Sequence, residues 1–316
     1  MTPSRLVAVL VLPIVTALAL SAAGPALAQI ENGIPPNELN AGYIMEAERE
    51  VLRNMQRLNA QTRREPPAQS LVNAQAAVTA AGADCQVAEA QQLGRTAENA
   101  SIYEAVCQTG PGYLVIASSP PQAVSCLVAA RASEQETVPS NATTFVCKMP
   151  ANQNGTAVLT AYAREAGIQC QVDFAGPVGT ANGQTVYEIG CVGQDGYRLK
   201  RTDSGWEKTE CWIIVSAGSR CASTTPEEQF STMKARLTGT DAAACQVDGG
   251  RFMGANANGA FYEARCAGSG GFIFHVKDEV TDRVIPCALA APIGGGCTLT
   301  PVRAAPTAPM TPPSPN

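Results

Sequence analysis

The chain has 316 residues, of which 45% are hydrophobic and 16% are charged, and its formal net charge at pH 7 is −5. This length can hold two domains or three smaller ones, and the acidic balance argues against nucleic acid and anionic membrane surfaces as the main partners. Twelve cysteines stand against a single histidine. One histidine cannot complete three sets of Cys/His metal ligands, so the cysteines indicate disulfides.

The first 28 residues have the pattern of a secretory signal peptide. Arg5 is their only charge, an apolar run covers residues 6–20, and Ala26-Leu27-Ala28 supplies a cleavage site of small residues. Pro13 interrupts the run, which is short for a membrane span, and an uncleaved anchor is the alternative. We therefore predict an exported protein, periplasmic or secreted, with no stable membrane span after cleavage of the signal.

Residues 29–68 are predicted to form a helical segment that ends in a proline linker. Helical spacing of apolar residues covers residues 37–63, where Ile44, Val51 and Leu58 lie seven residues apart. Glu65-Pro66-Pro67 ends the helix, because a residue before proline is pushed out of the helical region. The helix either docks on the next part of the chain or serves self-association through residues 37–63.

One stretch of sequence then occurs three times, beginning with Cys-Gln-Val at Cys85, Cys170 and Cys245. In each copy Gly follows nine residues after the first Cys, Tyr-Glu begins four residues before the second Cys, and a Gly-aromatic pair begins five residues after it. Two further cysteines follow each copy. This regularity predicts a tandem of three modules, at residues 69–150, 151–224 and 225–300, followed by a disordered proline-rich tail at 301–316.

Each module is predicted to be a helix followed by antiparallel strands. The third helix has a capping box, Thr225-Pro226-Glu227-Glu228, and Thr156 is the candidate N-cap of the second. Apolar residues then alternate with period two, Asn182-Gly183 indicates a hairpin, and a fourth strand is expected between the last two cysteines, at Trp212–Val215. The predicted fold class is α+β, with one helix packed on a 3–4-stranded antiparallel sheet in each module.

Two disulfides in each module would stabilise it by about 2–4 kcal/mol each. Four cysteines allow three pairings, which the sequence alone does not resolve. We favour pairing the first cysteine with the second and the third with the fourth, because the first two lie at nearly equal distances from the hairpin. The twelve cysteines are Cys85, Cys107, Cys126, Cys147, Cys170, Cys191, Cys211, Cys221, Cys245, Cys266, Cys287 and Cys297.

Strand alternation places the Tyr and Cys of each Tyr-Glu-x-x-Cys motif on one face of the sheet and the Glu on the other. With the helix on the first face, the second face is expected to be open and to form a candidate binding face. A turn centred on residues 110, 194 and 269 pairs Glu104 with Ile116, Glu188 with Lys200, and Glu263 with His275 across the strands. The residues of this candidate face are Glu104, Glu188, Arg198, Lys200, Glu263 and His275.

Motifs of catalysis or cofactor binding are not found in the sequence. His275 and Glu263 could form a dyad, but the nearest nucleophile in the sequence, Ser269, falls in a predicted turn. The Gly-rich pieces lack the Lys-Ser/Thr of a phosphate loop. We therefore expect no catalytic residues, no cofactor and no metal, and hence no enzyme.

The resulting hypothesis is an exported, non-catalytic binding or structural module of the cell envelope, whose partner is a protein or a cell-wall polymer. A first alternative is an inhibitor of an extracellular hydrolase that uses the open face or the loop between Cys126 and Cys147. In architecture such a tandem is similar to modular periplasmic inhibitors and outer-membrane assembly factors, an analogy of fold only. A second alternative is a cell-wall hydrolase using Glu263, Glu188 or Asp248.

Overall fold

A computed structural model describes residues 65–135, 146–268 and 270–300. The predicted signal peptide, the N-terminal segment through residue 64, the centre of the loop between the third and fourth cysteines of the first copy, and the proline-rich tail lie outside these residues. Within them the chain forms helices and three four-stranded antiparallel sheets, each with its strands in sequence order. The predicted α+β class is therefore confirmed.

The first sheet follows helix α1 (Pro67–Ala80), which begins at a proline in its first turn. Its strands are β1 (Val87–Arg95), β2 (Ser101–Cys107), β3 (Tyr113–Ile116) and β4 (Gln122–Ser125). Helix α1 buries Ala74, Ala77 and Val78 against Tyr103 of β2, which makes one core of this sheet. Helix α2 (Cys126–Gln135) follows β4 and covers the other face.

The second sheet follows helix α3 (Gly155–Glu165). Its strands are β5 (Val172–Ala181), β6 (Gln184–Cys191), β7 (Gln194–Thr202) and β8 (Gly205–Glu210), and the short helix α4 (Cys211–Ser216) follows. The N-cap of α3 is Asn154, whose side chain accepts a hydrogen bond from the Ala157 N–H, so the prediction of Thr156 was wrong. The Asn182-Gly183 hairpin is confirmed, since both residues have positive φ and they separate paired Ala181 and Gln184.

The third sheet follows helix α5 (Pro226–Leu237), and the predicted capping box between Thr225 and Glu228 is present in full. Its strands are β9 (Val247–Asn256), β10 (Gly259–Cys266), β11 (Gly270–Lys277) and β12 (Val280–Pro286). Met233 and Leu237 of α5 pack with Tyr262 and Phe274 of the sheet.

The prediction of a fourth strand at Trp212–Val215 was wrong, because this segment lies in helix α4. The fourth strand of the second sheet is β8, which ends just before Cys211 and is joined to β7 by a two-residue turn between Thr202 and Gly205. Since β8 already occupies the edge position, the β-branched residues after Cys211 are used to cover the sheet instead. Ile214 is fully buried in this way.

All twelve cysteines are in disulfides, and the favoured pairing is confirmed. The first cysteine pairs with the second in each copy, and the third pairs with the fourth. The six bonds are Cys85–Cys107, Cys126–Cys147, Cys170–Cys191, Cys211–Cys221, Cys245–Cys266 and Cys287–Cys297.

The join between the second and third sheets is closed by a buried carboxyl group, Asp195 of β7, which is 3% exposed. It accepts hydrogen bonds from the Trp212 N–H at 2.9 Å and from the Thr224 hydroxyl at 3.2 Å. Its own N–H donates to the hydroxyl of Thr232 on α5 at 2.7 Å. Burial raises the pKa of Asp195 to about 7, and the nearby charge of Glu210 also raises it, although the Trp212 N–H acts in the opposite direction.

This buried acid predicts a fall in stability with rising pH. Because its folded-state pKa of about 7 lies above the ordinary value of 3.8, the folded state binds the extra proton between these pH values. The free energy of unfolding should therefore decrease by up to about 1.4 kcal/mol per pH unit as pH rises toward 7, and level off above it. Asp195→Asn should remove this decrease, so that its free energy of unfolding changes less than that of the wild type between pH 5 and pH 7.

Urea unfolding of the oxidised protein at intervals from pH 5 to pH 8 measures the effect. The exposed Asp241 provides a matched control, since Asp241→Asn should keep the wild-type pH profile. An Asp195→Asn variant whose profile also matches that of the wild type would contradict the role assigned to this carboxyl group.

Candidate functional site

The residues predicted to form an open binding face are all buried. Glu104 and Glu263 are 0% exposed, Glu188 is 1% exposed, and Lys200 and His275 are each 8% exposed. Arg198, at 2% exposed, is buried with them. The expectation of an open sheet face was therefore wrong for these six residues, because the segments that contain the third and fourth cysteines cover it.

The repeated glutamate holds this covering segment to the sheet. In the first copy the Glu104 carboxylate accepts hydrogen bonds from the N–H groups of Lys148 and Met149, at 2.9 and 2.8 Å. These two residues directly follow Cys147, the fourth cysteine. The side chain of Asn152 donates to the same carboxylate at 3.0 Å.

The same contact occurs in the other two copies. Glu188 accepts from the N–H groups one and two residues after Cys221, at 2.9 and 3.2 Å. Glu263 accepts hydrogen bonds from the N–H groups of Thr298 and Leu299, which directly follow Cys297, at 3.0 and 2.7 Å. A buried carboxylate needs such donors, and the backbone of a covering loop needs acceptors. The shared glutamate therefore serves the fold.

The strand register differs from the predicted one by two residues. Glu104 is paired with Leu114, Glu188 with Arg198 and Glu263 with Ile273. The reason is that the turn after the second cysteine is centred one residue earlier than expected. A shift of two residues keeps every side chain on its predicted face.

Because of this shift, Glu188 and Glu263 contact residues other than the predicted ones. Glu188 contacts Arg198 at 2.8 Å, and Lys200 pairs with Glu207 at 3.0 Å instead of with Glu188. In the first of these pairs both side chains are almost completely buried.

In the third sheet, Glu263 contacts Arg251 of β9 at 2.6 Å. Burial acts to raise the pKa of Glu263, but the hydrogen bonds from the Thr298 N–H and the Arg251 side chain outweigh it, and the pKa is lowered. His275 lies elsewhere on this face, where its Nδ1 is 2.6 Å from Asp282. The predicted contact between Glu263 and His275 was therefore wrong.

Two glutamates lie close to sulfur atoms, which raises the question of a metal site. Glu104 is near Cys126 and Cys147, and Glu263 is near Cys287 and Cys297. All four sulfurs are in disulfides, so none is a thiolate that could bind a metal. Neither group is a metal site in this oxidised form.

The described chain has a different concave site, a cleft of about 250 Å³ at the join of the first and second sheets. One wall comes from the first sheet and the turn between β2 and β3, and the other comes from α3 and the second sheet. The lining residues are Asp84, Thr109, Gly110, Pro111, Tyr113, Tyr162, Glu165, Gln184, Thr185, Tyr187, Arg201 and Trp206.

Aromatic side chains concentrate in this cleft. It contains three of the seven tyrosines of the chain and one of its two tryptophans, although only 5% of the residues are aromatic. The ring of Tyr162 lies 4.5 Å from that of Trp206 and 5.8 Å from that of Tyr187, measured between ring centroids. Tyr187 is buried, whereas Tyr113, Tyr162 and Trp206 remain partly exposed to the cleft.

Close contacts fix the two walls of the cleft relative to each other. A Cβ atom on Gly110 would lie 2.9 Å from the Tyr162 hydroxyl, so the turn of the first sheet directly meets helix α3. Gly110 also has φ +76°, a conformation that favours glycine. Leu127 of α2 packs into the core beneath α3 with Leu159. The two walls of the cleft therefore belong to elements that pack directly against each other.

The charges of the cleft are mixed. Glu165 accepts a hydrogen bond from the indole N–H of Trp206 at 2.9 Å and contacts Arg201 at 3.4 Å. The Arg201 guanidinium lies over the Trp206 ring, 5.0 Å from its centroid. Burial, together with neighbouring negative charge, raises the pKa of Tyr162 to about 12. This hydroxyl is therefore protonated at neutral pH and can donate a hydrogen bond.

The corresponding place at the join of the second and third sheets is filled. Arg236 of α5 stands where Tyr162 stands in α3, three residues after a buried core residue of the helix. Its guanidinium is bound to Glu210 and lies over the ring of Tyr262, 5.3 Å from the centroid. One join thus contains a partly buried ion pair, and the other contains an open aromatic cleft.

The sequence alone does not reveal this cleft. Its lining comes from five separate parts of the chain, and Tyr113 and Tyr187 belong to the motif shared by all copies. A signal was nevertheless present, because Tyr162 and Trp206 are large aromatic residues that belong to the second copy alone. The cleft forms only when the first and second sheets pack together.

Comparisons with known proteins do not place the chain in a family. No family model, curated protein or solved structure matches it. The function is therefore inferred from the geometry of the described residues.

The glutamate contacts predict a ranking of stability losses. In Glu188 one carboxylate oxygen faces Arg198 and the other accepts two backbone N–H groups, so a glutamine cannot replace both. Glu188→Gln should lower the free energy of unfolding by about 3–5 kcal/mol, as expected when a buried charge loses its partner. Glu104→Gln should cost less, about 1–3 kcal/mol, because one of its oxygens accepts most of the hydrogen bonds.

Urea unfolding of the oxidised proteins at pH 7 gives these differences. Asp241→Asn, at an exposed carboxylate, should remain within about 0.5 kcal/mol of the wild type. Equal stability of Glu188→Gln and the wild type would show that the buried carboxylate does not hold the loop.

Proposed function

We propose that the protein is an exported, non-catalytic binding protein of the cell envelope that holds a cell-wall polymer or an envelope protein. Six disulfides support this location, because such bonds persist in oxidising compartments. The signal-peptide pattern at residues 1–28 is consistent with periplasmic or secreted delivery. No helix among the described residues is long and apolar enough to cross a membrane.

We further propose that the three sequence copies are three equivalent folding modules, with boundaries near residues 150 and 224. Supporting this, each sheet follows a helix in the chain and carries two disulfides at the same places in its copy. Its glutamate also accepts from the backbone directly after the fourth cysteine. Short connections between the modules favour a stiff array, in which the joins become binding surfaces.

The observation that carries the binding function is the aromatic cleft at the first join. Concave sites that combine rings with a few polar groups are the usual form of a binding pocket. The equivalent place at the second join is occupied by Arg236 and Glu210, so an open cleft is not required by the packing of two such sheets.

The carboxylates considered for a cell-wall hydrolase have other contacts. Glu188 and Glu263 are buried and accept backbone hydrogen bonds from covering segments. Asp248 is exposed and forms an ion pair with Arg265 at 2.8 Å. These contacts favour a binding protein over a hydrolase. The inhibitor alternative loses the open sheet face, which was one of the two surfaces considered for it.

Sedimentation with insoluble envelope material of the native host tests the proposal. The full-length protein should sediment with this material, and the double variant Asp84→Ala/Gln184→Ala should do so at least fivefold less, because both exposed side chains line the cleft. The matched control Asp241→Ala/Gln194→Ala changes the same residue types at exposed positions outside the cleft and should behave as the wild type.

Two results would contradict the proposal. One is wild-type protein that stays in the supernatant, or a cleft variant that sediments as well as the control. The other is release of soluble sugar or peptide from the envelope material by the purified wild type, which would indicate a catalytic function.

A further inference from the structure

We propose that the cleft at the first join binds a neutral oligosaccharide chain. This inference rests on the proposed function and names the ligand class of the same site. It follows from three properties of the lining: partly exposed rings, charges of both signs, and many hydrogen-bonding groups.

The rings provide surfaces for the apolar faces of sugars. Tyr113 and Tyr162 stand on opposite walls of the cleft, and Trp206 lies beside Tyr162. Tyrosine and tryptophan combine an apolar face with a polar edge, which suits a ligand that itself has C–H faces and hydroxyl edges. The tyrosines are held by the cores on which they pack, so little ordering is needed on binding.

The charges argue against an ionic ligand. A cation would normally be attracted to the face of a tryptophan, but the Arg201 guanidinium already lies over Trp206. An anion would face the carboxylates of Asp84 and Glu165. The chain is also acidic as a whole, with a net charge of −5. A neutral, polar ligand is repelled neither by the Arg201 guanidinium nor by these carboxylates.

The polar groups match the hydroxyls of a sugar. Asp84 and Glu165 can accept hydrogen bonds, Arg201 can donate them, and Gln184 can do both. All four side chains are exposed at the cleft, so their hydrogen bonds can be exchanged from water to a ligand. A hydroxyl both donates and accepts, and such a mixed set of partners satisfies it in either role.

The size of the cleft indicates how a chain would lie in it. Its volume of about 250 Å³ is below the roughly 300–1,000 Å³ typical of pockets that enclose a drug-sized ligand. The cleft therefore holds a short stretch of the oligosaccharide while the rest continues into solvent. Such a site suits recognition within a polymer.

A proline-rich peptide is the other ligand that aromatic grooves commonly bind, and residues 301–316 of the chain have that composition. Such peptides present mainly carbonyl acceptors and need donors from the groove. The indole N–H of Trp206 already donates to Glu165 at 2.9 Å. The carboxylates of the cleft are acceptors as well, so the lining favours a sugar over this peptide.

Isothermal titration calorimetry with the oxidised full-length protein tests the inference. The probes are the neutral tetrasaccharides of N-acetylglucosamine, glucose and galactose, together with a synthetic peptide of residues 301–316. At least one tetrasaccharide should bind saturably with one site. Asp84→Ala/Gln184→Ala should weaken this binding at least tenfold, and Asp241→Ala/Gln194→Ala should leave it unchanged.

A second pair of variants compares equivalent tyrosines. Tyr113→Phe removes a hydroxyl in the cleft, whereas Tyr197→Phe removes one at the same place of the next copy, outside the cleft. Only the first should weaken binding, by threefold or more, with unchanged unfolding midpoints in both.

Three outcomes would overturn the inference: no tetrasaccharide binds, binding ignores the cleft variants, or the peptide binds at the cleft and the sugars do not. The envelope sedimentation assay separates these from failure of the proposed function. If the wild-type protein sediments, the cleft variant does not, and no tetrasaccharide binds, the cleft binds a partner that is not a carbohydrate. Protein that neither sediments nor binds sugar would contradict both proposals.

Discussion

The rest of the structure depends on one interaction, the acceptance of loop N–H groups by a fully buried glutamate. A carboxylate without partners could not remain in an apolar core, and the backbone after the fourth cysteine would lose its acceptors if the glutamate were absent. The carboxylate can therefore be buried because the loop donates to it, and the loop backbone can be buried because the carboxylate accepts from it. The contact fixes the covering segment against the second face of the sheet in all three copies, at Glu104, Glu188 and Glu263. This is why the glutamates lie on a covered face of each sheet.

The helix that follows one sheet packs into the core of the next, through Leu127 at the first join and Trp212 at the second. The two joins nevertheless have different side chains at one equivalent position. At the second join Arg236 and Glu210 form a partly buried ion pair beside the buried Asp195. At the first join Tyr162 and Trp206 take part in an aromatic cluster that leaves a cleft. The copies thus differ from one another at the joins. A binding function located there would use the rigidity that the disulfides and glutamates provide.

Much of the fold could be predicted from the sequence. Cysteine number and spacing predicted the six disulfides, the Thr225 capping box predicted the start of α5, and Asn182-Gly183 predicted its hairpin. These features succeed because they are local, or because they depend on counts that an oxidising location imposes. The errors were also local in origin: the centre of a turn was misplaced by one residue, and a β-branched run after Cys211 was assigned to a strand whose place β8 already occupied.

The sequence by itself determined the α+β class, the helix that precedes each sheet and the face on which each repeated side chain lies, since strand and helix periodicity fix these from neighbouring residues alone. Only the tertiary structure decided that the glutamates are buried and that Tyr113, Tyr162 and Trp206 meet in one cleft. Burial depends on what covers a face, and the cleft depends on how two sheets pack. Both involve residues tens of positions apart, and periodicity carries no information about such contacts.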